Sequence, residues 1–96
     1  MNTLTIRGEG IEFDFYRAKA LADAAAEIFL GESTCLSWYD RAEGRESPAH
    51  ASECHGTCEI PGYVEYAVNR GAELKVIVGD GDYVFCHRPL GEFAGL

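Results

Sequence analysis

Phe15 to Leu30, FYRAKALADAAAEIFL, is the stretch whose reading decides the fold. It is the one long run with helical periodicity. At about 100° per residue, Ala18, Leu21, Ala22, Ala25, Ile28 and Phe29 fall on one face. Lys19, Asp23 and Glu27, each four residues from the next, fall opposite. Asp14 is placed to cap the first turn by accepting hydrogen bonds from backbone N–H groups, and Gly31 supplies the exit. The six alanines between Ala18 and Ala26 favour helix and allow close approach to a sheet. A helix with one apolar face must lay it on something, and strand-like segments flank it.

Upstream, Thr3 to Arg7 (TLTIR) alternates and is rich in β-branched residues, as a strand does. Gly8-Glu9-Gly10 is a turn, and Ile11 to Phe13 returns as a short second strand, making an N-terminal hairpin. Downstream, Thr34 to Tyr39 (TCLSWY) is a strand with Leu36 and Trp38 on one side and Cys35, Ser37 and Tyr39 on the other. Residues 40–62 form the most polar part, a long loop with room for a short helix. Tyr63 to Val68 alternates as a strand, with a short helix as the other reading. Glu73 to Val78 and Tyr83 to His87 are strands joined by the tight turn Gly79-Asp80-Gly81-Asp82. The expected fold is therefore a single α+β domain over residues 1–96. One main helix packs on a mostly antiparallel sheet of about four to six strands, in two layers with a C-terminal β-meander. One helix covers one face of such a sheet. The other face would show Tyr63, Tyr83 or Phe85 to a partner, most simply a second copy of the chain.

Sixteen acids against eight bases give a formal net charge of −8. A duplex or RNA backbone and an anionic membrane surface are poor partners for that charge, since both need a basic face. A cationic partner or a divalent metal suits it. No apolar run approaches the eighteen or so residues of a membrane span, and MNTLTIRGEG lacks the pattern of a signal peptide. The expected location is the cytoplasm, where the four cysteines stay reduced. The expected partners are a protein, including a homodimer mate, or a small molecule, with no nucleic acid and no membrane.

The chemistry-bearing residues concentrate in His50, Cys54, His55 and Cys58. The spacing places three of them one helical turn apart, and thiolate with imidazole suits zinc or another borderline-soft metal. Glu53 and Glu59 stand nearby as alternative ligands. The paired arms of familiar zinc modules are missing, so a solvated polar loop with incidental thiols is the competing explanation. Cys54 and Cys58 are also a possible disulfide pair, although Cys-x3-Cys is not the usual redox spacing. Cys86 and His87, adjacent on a strand, point to opposite faces and cannot act together as nucleophile and base. Cys35 could meet a histidine through the fold. Trp38, Asp40 and Arg41, with Arg45, read as a core anchor with loop-tethering ion pairs, or as a ligand site at a strand end. The two acids of the Gly79–Asp82 turn lack the ligand set of an EF-hand. No P-loop, dinucleotide fingerprint or Gly-x-Ser-x-Gly motif is present.

Ser37-Trp38-Tyr39-Asp40, Ser47-Pro48, Glu53-Cys54, Pro61-Gly62-Tyr63, Arg70-Gly71 and Tyr83-Val84-Phe85 form a pattern along most of the chain from Phe13 onward. The pattern resembles a family of short archaeal and bacterial proteins grouped as a domain of unknown function. The resemblance implies a small stand-alone domain and carries no activity, cofactor or catalytic residue with it. Two functions remain in view: a small binding or interaction module acting as a homodimer, and a metal-binding or thiol-redox protein built on His50, Cys54, His55 and Cys58.

Overall fold

A computed structural model of the chain describes residues 1–49 and 61–90. In chain order the elements are β1 (Asn2–Ile6), α1 (Phe15–Leu30), β2 (Ser33–Asp40), β3 (Arg45–Ser47), α2 (Gly62–Asn69), β4 (Leu74–Val78) and β5 (Tyr83–Pro89). The strands form one five-stranded sheet in the order β1-β4-β5-β2-β3. Only the β1–β4 pairing is parallel; the other three are antiparallel. The α+β class, with its main helix on a mostly antiparallel sheet, is thus the one the sequence predicts.

The helix α1 starts where the cap places it: the Arg17 backbone N–H donates to Asp14 Oδ1 at 2.8 Å. It ends at Gly31, whose φ of 76° is open to a residue without a Cβ. Its buried face differs from the expected one. Ala18, Ala22 and Ala26 are 0% exposed, while Leu21, Ile28 and Phe29 are 40%, 77% and 64% exposed. The alanines let the helix sit so low on the sheet that Val76, Val78 and Phe85 supply the bulk from below. Leu21 and Ile28 lie on a flank of the helix and Phe29 near its end, beyond that floor.

Residues 62–69 are helical, not a strand. Tyr63, Val64 and Ala67 are its buried residues, and a segment this short satisfies periods of 2 and 3.6 almost equally. The third strand expected of the C-terminal meander is therefore α2, and β4–β5 remains as a hairpin. Tyr63, Val64 and Ala67 pack with Val84, Cys86, Leu36 and Tyr39, on the sheet face opposite α1. The sheet aromatics expected to be bare are covered: Tyr63, Tyr83 and Phe85 are 8%, 7% and 0% exposed.

Two further differences concern the strands. Ile11 to Phe13 forms no strand, and β1 instead pairs in parallel with β4, from Asn2 opposite Leu74 to Ile6 opposite Val78. The strand β2 carries a bulge: Cys35 lies opposite His87, but Ser37 lies opposite Cys86. The extra residue reverses the alternation. Cys35 consequently shares the α1 side with Trp38, while Leu36 and Tyr39 pack on the α2 side. The Ser37 hydroxyl donates to the Tyr63 carbonyl oxygen at 2.7 Å, tying the bulge to α2.

Candidate functional site: a cleft beside His87

Between α1 and the adjoining ends of β2 and β5 lies an open cleft of about 520 Å³. Lys19, Asp23 and Glu27 line it from the helix, Thr34 and Cys35 from β2, and His87 from β5. Helical spacing sets the three helix residues on one flank, as the sequence indicates. The bulge sets Cys35 against the same cleft, and alternation along β5 turns His87 toward it while Cys86 faces α2.

His87 is the central group. It is 1% exposed, and its Nε2 lies 3.0 Å from Asp23 Oδ1. Burial by itself raises the Asp23 carboxyl, but hydrogen bonds from Lys19 and His87 outweigh it and hold the group below its ordinary value of 3.8. Asp23 is then an acceptor at neutral pH, so His87 Nε2 carries the hydrogen. Lys19 Nζ donates to the other carboxylate oxygen at 2.7 Å. His87 Nδ1 is buried and has no hydrogen-bond partner among the described residues.

Cys35, His87 and Asp23 match by type the nucleophile, base and orienting acid of thiol catalysis. The electrostatics of the thiol oppose that role. Burial pushes Cys35 up to about 11, and its Sγ–H is donated to the Ser37 carbonyl oxygen at 3.3 Å. A thiol so placed is protonated at neutral pH and is no ready nucleophile. What remains is an open polar cleft. Glu27 and Glu32 stand at the rim, and the last turn of α1 has no basic residue to offset its exposed carbonyl ends. Lys19 is matched by Asp23, so the cleft is net negative.

The other residues singled out in the sequence fall elsewhere. Trp38 packs edge-on against Phe15 with ring centroids 4.7 Å apart. Asp40 is 1% exposed; its Oδ1 accepts from the Glu43 backbone N–H at 3.1 Å and its Oδ2 from Arg45 at 3.1 Å. Arg41 instead pairs with Asp82, and Arg7 pairs with Asp80 at 3.2 Å. These contacts fasten turns and give Trp38, Asp40 and Arg41 structural duties. His50, Cys54, His55 and Cys58 lie outside the described residues. Among the described residues no group of three or more His, Cys, Asp or Glu side chains is arranged to hold a metal ion, and no helix is long and apolar enough to cross a membrane. Sequence reasoning paired neither His87 with Asp23 nor His87 with Cys35, because the first contact spans 64 positions and the second needs the bulge.

A family model described as a domain of unknown function, DUF5619, matches residues 1–87. The chain belongs to the DUF5619 family. The crystal structure of a novel protein, AF1514 from Archeoglobus fulgidus DSM 4304, is similar to this DUF5619 domain with a TM-score of 0.68 and 27% sequence identity. The match covers 93% of this chain and 94% of that one. A comparison with curated proteins returned no match. The structural relative shares the fold, and the chemistry of the cleft is read from its residues.

Proposed function

We propose that this DUF5619 domain is a small binding module that receives a small organic cation, an amine or a guanidine, in the cleft beside His87. The observation that carries this reading is the His87–Asp23 contact: a buried imidazole fixed by a carboxylate at the base of an open, net negative cleft. A rigid polar anchor in a concavity is what small-molecule recognition needs. Glu27 and Glu32 supply the opposing charge, and Thr34 adds a neutral residue to the lining. The protonated thiol of Cys35 favours binding over bond-making. Self-association is compatible with this reading, because β1, an outer strand among the described residues, lies on the far side of α1 from the cleft.

Calorimetric titration with small amines and guanidines tests it. Saturable binding is expected, weakened tenfold or more by Glu27→Gln or Asp23→Asn. No saturation by any such cation up to millimolar concentration would remove the proposal. The rival reading, metal or thiol chemistry, rests on the residue types and spacing of His50, Cys54, His55 and Cys58. One equivalent of zinc or iron in freshly purified protein, lost on replacing Cys54 and Cys58 with serine, would establish that rival.

A further inference from the structure

β1 is an edge strand, and among the described residues nothing pairs with its outer side. The direction of its backbone groups follows from its inner bonds. The Asn2 N–H donates to the Glu73 carbonyl at 3.0 Å, and the Ile6 carbonyl accepts from the Gly79 N–H at 2.8 Å. Backbone groups alternate along a strand, so those of Asn2, Leu4 and Ile6 point to β4 and those of Thr3 and Thr5 point outward. Two N–H donors and two carbonyl acceptors are thereby presented in a row.

Natural edges are usually blunted by charge, proline or a bulge. Asn2-Thr3-Leu4-Thr5-Ile6 has none of these. The apolar residues beside it are also bare. Asp23 and Lys19 mark the flank of α1 that faces β5 and β2, so the opposite flank, with Arg17, Leu21, Ala24 and Ile28, overhangs the β1 side. Sixteen acids are spread over the chain, yet neither β1 nor this flank carries one. It is a margin on which two copies of an acidic chain can meet without opposing carboxylates.

We infer that β1 pairs with β1 of a second copy of this chain, antiparallel about a two-fold axis through Leu4, joining two sheets into one of ten strands. Only an antiparallel arrangement relates identical strands by such an axis. The outward groups then fix the register. Thr3 exchanges both backbone hydrogen bonds with Thr5 of the other copy, Thr5 does the same with Thr3, and Leu4 meets Leu4 between them. On the face away from α1 the threonine side chains sit opposite one another, a favourable cross-strand pair. Leu21 and Ile28 of each copy flank the joined strands.

Sedimentation velocity on the full chain tests this, with the sequence itself supplying the variants. The wild type is expected at twice the mass of the 10.5 kDa chain. Thr5→Pro removes an outward N–H and no bond to β4, an edge position where proline is tolerated; it is expected to run as a folded monomer. The double variant Thr3→Lys/Thr5→Lys, at two exposed positions, sets lysine against lysine across the axis and is expected to give the same result even if the proline variant fails to fold. A wild type that stays monomeric into the hundreds of micromolar, or a double-lysine variant that remains dimeric, would overturn the inference.

Discussion

His87 on β5 and Asp23 on α1, 64 positions apart, meet at 3.0 Å and join the sheet side of the cleft to its helical wall. The contact makes stability depend on acid. Because the folded protein holds Asp23 below its ordinary 3.8, the group contributes stability above that value, and the contribution is lost as pH falls through the lowered one. Denaturant titrations are expected to show stability dropping below about pH 4, with a shallower drop in Asp23→Asn. Since Asp23 is half exposed, the variant should cost no more than about 1 kcal/mol at pH 7.

The alanine seam beneath α1 leaves no spare volume. Ala22→Leu and Ala26→Leu, both at fully buried positions, should each destabilise by about 1–3 kcal/mol through overpacking. Ala20→Leu, on the exposed side of the same helix, should change stability by less than about 0.5 kcal/mol. Urea midpoints measured on the three variants read the difference directly.

The thiol of Cys35, raised to about 11 from 9.0, should alkylate slowly. At pH 8 that shift alone lowers the thiolate fraction about a hundredfold, before partial burial slows it further. Timed iodoacetamide labelling with peptide mapping should show Cys35 reacting only on unfolding. Rapid labelling of Cys35 in the native protein would restore the case for thiol catalysis.

Asp40 closes the turn between β2 and β3 with two acceptor contacts from a buried carboxylate. Asp40→Ala strands the Glu43 N–H and frees Arg45 from its place over Phe15 and Trp38, 5.9 Å from each ring centroid. A loss of about 2 kcal/mol is expected, with lost hydrogen-exchange protection confined at first to residues 40–47.

The helix 15–30, its Asp14 cap and the β4–β5 hairpin were legible because each rests on neighbours in sequence. The cleft was legible only by halves. Lys19, Asp23 and Glu27 follow from helical spacing, but their partner His87 comes from a long-range packing that no window of sequence contains. The sides taken by Cys35 and Leu36 were misread because strict alternation assumes an unbroken ladder. Tyr63 to Val68 stays open between strand and helix in the sequence because apolar residues at 63, 64 and 67 serve one helical face as well as a ragged strand. Leu21 and Ile28 were assigned to the core on hydrophobicity, whereas the floor of the sheet is wide enough only for alanine at the contact line.

The single extra residue in β2 lets one strand serve two neighbours that want opposite things. Upstream of it the chain addresses water and whatever enters the cleft; downstream, Trp38 and Tyr39 dress the two oily interiors. Deleting Leu36 would restore even stepping with Cys35 still opposite His87 and Thr34 still opposite Arg88, so the wall of the cleft would keep its place while α2 lost an apolar neighbour. The bulge therefore gives α2 one more residue to rest on without moving the strand it was inserted into.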